Sequence, residues 1–243
     1  MIVVIGLPAY LGSATGEGSA GGLAVEAAAA AHARGSAVEL VGKIGDDGAG
    51  DAVVLALGRL GIGHAALLRD PARPTPVLSA VVAESATAEP EAAGPADAAP
   101  TDTLTGVLAE ALAGDDEPRV EVELFPADPA LRPGLEAGDI ALALRYLAEA
   151  SVVVLAEPLP EAAVAAVVEG AGFSGARLVV LLPPGSTPPP LPPEATVLET
   201  PAVDDGSFGR VVGAFAAGLD AGTEPAAAFS DAVRSSGWEP VAD

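Results

Sequence analysis

Two β–α units at the amino end constrain this chain more than any other feature. Ile2-Val3-Val4-Ile5-Gly6 is a short apolar run closed by glycine, as a fully buried strand would be. A Gly/Ser/Thr-rich loop over 12–22 leads into AVEAAAAAHAR at 24–34, a strong helix former with Gly35 at the C′ position. Val38 to Gly42 reads as the next strand. Residues 46–60 read as a helix that starts at aspartate and carries Val53, Val54, Leu57 and Leu60 on one face. Continuous apolar strands alternating with helices predict an α/β fold, with a mainly parallel sheet, right-handed crossovers and helices on the faces.

The rhythm returns further along. Segments 76–84 and 119–126 read as strands, the second with alternating Val120, Val122 and Leu124. Then come a buried strand SVVVLA (151–156), a helix over 161–169 and a strand ARLVVLL (176–182). A stiff proline-rich connection fills 183–193, VVGAFAAGL (211–219) opens a late helix, and 225–234 forms one more. Between the two halves lies an acidic, Ala/Pro-rich insertion at about 85–118, with room for a short helix over 103–113. The 243 residues suit a single domain, 1–243, carrying that insertion.

Composition narrows the chemistry. Aromatic residues make up only 3%, so the core must be built from Ala, Val and Leu. With no cysteine, disulfides, thiolate nucleophiles and thiolate metal sites are excluded together. There are 34 acidic and 11 basic residues, a net charge of −23, and Lys43 is the sole lysine. That field repels phosphate backbones and anionic lipid, so neither nucleic acid nor a membrane is an expected partner. No apolar run is long enough to span a bilayer and Met1–Val4 lacks a basic leader, so a cytoplasmic protein is expected. His32 and His64 have no partner spacing for a metal site or a triad, and no metal is expected.

The motifs are more specific than the pattern. Gly21-Gly22 opens the Ala-rich helix. It is followed by Val41-Gly42-Lys43-Ile44-Gly45-Asp46-Asp47-Gly48-Ala49-Gly50-Asp51 and, after a helix, by Leu60-Gly61-Ile62. Downstream come Arg69-Asp70, Pro74-Thr75-Pro76, Phe125-Pro126-Ala127-Asp128 and Val212-Gly213-Ala214-Phe215-Ala216-Ala217-Gly218-Leu219. In this order they resemble the ribokinase-like (PfkB-type) carbohydrate kinases over most of the chain. The resemblance implies a ribokinase-like three-layer α/β/α sandwich with a small β-lid. The lid is expected to be reduced here, because little chain separates Tyr10 from Gly21.

That family moves the γ-phosphoryl group of ATP to a sugar hydroxyl. The step needs a carboxylate base, backbone NH groups at a helix start to hold phosphate charge, and Mg²⁺. Counting back from Gly213, the family's T-G-A-G-D run falls on Asp205-Gly206-Ser207-Phe208-Gly209. Its catalytic aspartate is therefore Gly209. Gly206, Ser207, Phe208 and Gly209 are an anion-hole remnant in which the Phe208 side chain is expected to obstruct phosphate. Asp204 and Asp205 are weak substitutes for the base, each about a helical turn from the required place, and capping or solvation is the better reading of them, Asp205 being well suited to cap the helix. The family's sugar-binding Asn and Asp correspond to Ala9 and Leu11, and the Asn after its GG pair to Glu26. Gly21, Gly22, Glu26 and Lys43 remain as substrate-side positions, Lys43 facing a polar or anionic ligand across the sheet edge. The chain contains no Asn, so the family's N-x-x-E metal-associated motif is absent. Glu194 and Glu199 are isolated acids, and Asp46-Asp47-Gly48 at a helix start reads as a cap rather than a metal loop.

Three functions follow as expectations. The first is a PfkB-family homologue that binds a small polar ligand or a protein partner, as monomer or homodimer, without phosphoryl transfer or a cofactor. The alternative is an active sugar or nucleoside kinase using Mg-ATP and a relocated base. The third, compatible with the first, is a scaffold whose 85–118 insertion holds the partner.

Overall fold

The computed structural model describes residues 1–12, 18–82, 120–201 and 206–236. The insertion at 85–118 and its possible helix, together with Asp204 and Asp205, lie outside the described residues.

A six-stranded parallel sheet forms the middle layer. Its strands are β1 (Ile2–Ile5), β4 (Val38–Gly45), β5 (Gly63–Asp70), β8 (Val152–Leu155), β9 (Arg177–Leu182) and β10 (Thr196–Glu199), in the order β10-β9-β8-β1-β4-β5. β1 sits inside the sheet, paired in parallel with β4 on one side and β8 on the other. Its residues alternate between two cores. Ile2 and Val4 join one apolar cluster, and Val3 and Ile5 join the other. That is why the run is apolar without a break, as a strand buried on both faces must be.

Helices α1 (Leu23–Ala33), α2 (Gly48–Arg59), α5 (Ser207–Asp220) and α6 (Pro225–Ser236) cover the first face. α3 (Ala137–Tyr146) and α4 (Glu161–Ser174) cover the second. The low aromatic content has a structural counterpart: α1 and α5 pack closely through alanine and glycine. A Cβ added at Gly213 would lie 2.2 Å from the Ala27 carbonyl oxygen and 2.6 Å from Ala30 Cβ. Among the described residues Phe215 is the largest fully buried side chain, and its ring meets Phe229 of α6 edge-on at 5.8 Å between centroids.

A second sheet of order β3-β2-β6-β7 contains β2 (Ala9–Leu11), β3 (Ser19–Gly21), β6 (Val77–Val82) and β7 (Val120–Phe125). β2 follows β1 and β6 follows β5, so both connections leave from the carboxyl edge of the large sheet. The amino-terminal lid segment supplies only two strands of three residues, and β6 and β7 complete the layer.

Most expected elements are present with shifted ends. Part of the 12–22 stretch, expected as loop, is strand, because Tyr10 and Leu11 find partners in β6 as well as β3. β5, β10 and α3 were not expected from local pattern. β5 (GHAALLRD) has no clean alternation, and pairing with β4 defines it. Leu60, expected on the buried face of α2, is an exposed C-cap, and Ile62 takes the buried place.

The α1–α5 contact gives the first prediction. Gly213→Ala should destabilise the fold by about 1–3 kcal/mol through forced separation of the two helices. It should appear as a lower urea midpoint at unchanged slope, whereas Gly172→Ala, which meets nothing within 4 Å, should not lower it.

Candidate functional site

In an open parallel sheet, ligands gather outside the carboxyl edge where the strand order reverses. Here β4 and β5 extend to one side of β1, and β8, β9 and β10 extend to the other. The reversal therefore lies between β1 and β8, and the residues just past those strands are Leu7 and Glu157.

The most conspicuous motif residues at this edge are structural. Asp47, the N-cap of α2, accepts hydrogen bonds through Oδ1 from the Gly50 NH (2.8 Å) and the Thr75 hydroxyl (2.6 Å), and through Oδ2 from the Thr75 NH (2.8 Å). The Thr75 hydroxyl accepts in turn from the Gly45 NH at 2.9 Å. Burial pushes the Asp47 carboxyl up, but the bonds from Thr75 and Gly50 outweigh it and hold it below the usual carboxylate range. The GDD and PT motifs are thus two halves of one clasp between the β4–α2 turn and the start of the small sheet.

Lys43 is engaged as well. Its Nζ lies 2.7 Å from Asp139 Oδ2, which also accepts from the Glu136 NH at 3.1 Å in the capping box of α3. The lone lysine therefore ties β4 to the start of α3. Asp70, at the end of β5, takes the Ala72 NH at 2.8 Å and Arg73 at 3.1 Å, and these bonds hold its carboxyl low.

Gly21 ends β3 opposite Ala9. Gly22 is the N-cap of α1 with φ of 98°, and a Cβ there would sit 3.2 Å from the Leu7 carbonyl oxygen. Backbone geometry there demands glycine. The GG pair thus borders the switch point, although Ala9 and Leu11 beside it offer no polar side chain.

One turn into α1, Glu26 lies across the start of α5. A Cβ at Gly209 would fall 2.7 Å from Glu26 Oε2 and 2.6 Å from Glu26 Cβ, and a Cβ at Gly206 would fall 3.5 Å from the same oxygen. Glu26 therefore places a carboxylate at the first turn of a 14-residue helix, where the dipole and the backbone NH groups favour an anion. Gly206 begins that helix in the left-handed conformation and Ser207 is its first residue. Phe208 does not obstruct the helix start as expected. Its side chain is 2% exposed and turned into the core. The side chain found beside it is Glu26, reaching over from the neighbouring helix. The substitute positions Asp204 and Asp205 lie outside the described residues.

Sequence reasoning missed Glu157. It follows the buried strand VVVL by two residues and precedes proline, so an acid directly after a buried parallel strand was the available signal. The Leu7 NH bonds to its carboxyl, and Arg132 is the cation whose field reaches it. Burial dominates and pushes this carboxyl up to about 7. Arg132 itself is spent on backbone, donating to the carbonyls of Pro126 (2.6 Å), Ala127 (2.8 Å) and Leu124 (3.3 Å).

Among the described residues no cluster of three His, Asp or Glu could hold a metal ion, and no helix is long and apolar enough to cross a membrane.

Glu157 sets a pH dependence. Its folded value near 7 exceeds the free-chain value of 4.5, so the native state holds the extra proton between them. Stability should therefore fall as pH rises through that window and level off above it, by an amount on the order of a few kcal/mol. Glu157→Gln should remove the fall, so that the variant matches the parent at pH 4.5 and unfolds at higher urea at pH 8. Parallel denaturation curves for both proteins would check this.

No family model matches the chain, and no curated protein matches it. Solved structures do. The crystal structure of Sa239 superposes with a TM-score of 0.65 at 14% identity, covering 99% of this chain and 95% of that one. Arabidopsis thaliana ribokinase, solved with ribose and ATP, gives a TM-score of 0.62 at 14% identity, covering 97% of this chain and 90% of that one. A sheet flanked by helices on both faces, a small second sheet over its carboxyl edge and these superpositions together identify the fold of this chain as that of the ribokinase-like carbohydrate kinases.

Proposed function

We propose that this protein is a ribokinase-like binding protein that holds a small ligand or a partner and does not transfer phosphoryl groups. The observation that carries the reading is Glu26 against Gly206 and Gly209. Phosphoryl transfer on this scaffold needs an open helix start for phosphate oxygens and an aspartate beside it as base. Here a carboxylate of the same chain covers that helix start. An aspartate at 209 would need its Cβ 2.6 Å from Glu26 Cβ, so the base position is filled by packing as well as substituted. The phosphates of Mg-ATP do not fit this arrangement, since a second anion would meet the Glu26 carboxylate with no described lysine beside it. Lys43 is held by Asp139 and cannot compensate without breaking a 2.7 Å ion pair.

The surviving motifs support the same reading. The GDD and PT residues hold the scaffold together through the Asp47–Thr75 clasp, so they persist for stability whether or not chemistry does. An active kinase with a relocated base gains no specific support from the described geometry.

The test pairs nucleotide binding with turnover. Calorimetric titration with millimolar Mg-ATP should show no heat of binding, and a phosphorylation screen over sugars, nucleosides and polyols should show no product. Gly209→Asp should remain inactive and melt lower than the parent, because its side chain is driven into Glu26. Product formation that disappears in Asp204→Ala or Asp205→Ala would overturn the reading and restore the kinase.

A further inference from the structure

Beside Glu157 a cavity of about 260 Å³ opens from the second core cluster, under the proline-rich connection that follows β9. Its walls are Leu155 of β8, Val180 and Leu182 of β9, Val164 of α4 and Leu159. Among the described residues Glu157 is the only ionisable side chain lining it, and Ser186 and Thr187 are the other polar side chains there. We propose that this cavity is the ligand site of the protein and that it takes a small amine, the apolar body packed against the β8–β9–α4 wall and the ammonium group against Glu157. The inference deepens the binding role proposed above by naming a ligand class, and it rests on that reading.

Three features select this chemistry. First, size: at about 30 Å³ for each water-sized group, the cavity holds roughly nine non-hydrogen atoms. That suits a short branched or single-ring body. Second, the lining: five aliphatic side chains, three prolines and one carboxyl match a molecule with an apolar body and one cationic end, whereas a sugar would find only Ser186, Thr187 and Glu157 for its several hydroxyls. Third, charge: the net −23 of the chain concentrates cations and disfavours an anionic ligand. The titration of Glu157 agrees with this geometry. Its carboxyl is pushed up to about 7 because the Leu7 NH and Arg132 do not offset its burial, and an ammonium group is the missing compensation.

The probe is 2-phenylethylamine, with nine non-hydrogen atoms and a charge that persists at pH 6–8, set against 2-phenylethanol of the same shape. Titrations are followed by amide chemical shifts on the full chain. Saturable amine binding should perturb residues around Val164, Val180, Leu182 and Ser186. Its affinity should rise about tenfold between pH 6 and pH 8, as Glu157 loses the proton it holds near 7. The alcohol should bind at least tenfold more weakly at pH 8. Glu157→Gln should lower amine affinity at least tenfold and leave the alcohol unchanged. Thr187→Trp, on the exposed connection where folding is not at stake, should block both probes. Equal affinity for amine and alcohol, an unaffected Glu157→Gln, or binding that survives Thr187→Trp would overturn the proposal. The two readings fail separately: the amine titration contains no nucleotide, and the phosphorylation screen contains no amine.

Discussion

Helices α1 and α5 approach so closely that glycine is required on α5 at two positions one turn apart. At Gly213 the backbone of α1 leaves no room for a methyl group, and at Gly209 the stem and carboxylate of Glu26 leave none. This contact anchors one face of the sheet, because α1 and α5 together carry a large share of the Ala- and Val-rich cluster on that face. A chain with so few aromatics fills its core by bringing backbones together rather than by inserting large side chains. The same approach fixes the chemistry at the end of α5. Once α1 lies this close, its first-turn acid falls on the amino end of the neighbouring helix, and the place for an external anion becomes an internal contact.

The retained motifs divide along that line. Residues that bind backbone to backbone are present and used: Asp47 and Thr75 in the clasp, Gly22 at the start of α1, and Gly45 against the Thr75 turn. The positions that the resemblance assigns to substrate or phosphate, Ala9 and Leu11 on one side and Gly209 on the other, carry no polar side chain. Scaffold constraints and catalytic constraints thus fall on different residues of the same motifs, so a strong fold resemblance carries little information about activity.

Chemistry remains available at the switch point between β1 and β8. There the sheet edge meets Glu157, a half-buried acid poorly compensated by its neighbours, which also lines a cavity with aliphatic walls on the β8–β9 side. Elsewhere on this edge the charged groups are matched, Lys43 with Asp139 and Asp70 with Arg73. A carboxyl left without an equal partner beside open space is where differential binding of a cation can arise.

The sequence by itself determined the α/β layering, the parallel sheet and most of its elements. Buried strands such as Ile2–Ile5 and Val152–Leu155 and helices such as Leu23–Ala33 announce themselves through local apolar runs and caps. Through the resemblance it also raised the expectation that Gly209 stands where a catalytic aspartate would, a matter of identity at one position. Only the tertiary structure decided what replaces it. Phe208 turns inward while Glu26, from a different helix, covers the helix start, and no local pattern records which side chain of α1 will face α5. The same holds for β5 and β10, defined by pairing with β4 and β9 rather than by their own periodicity. It holds most of all for Glu157, an ordinary acid in the sequence. Its properties come from the burial that β1, β8 and the segment carrying Arg132 impose when they converge, because desolvation and field depend on neighbours distant along the chain.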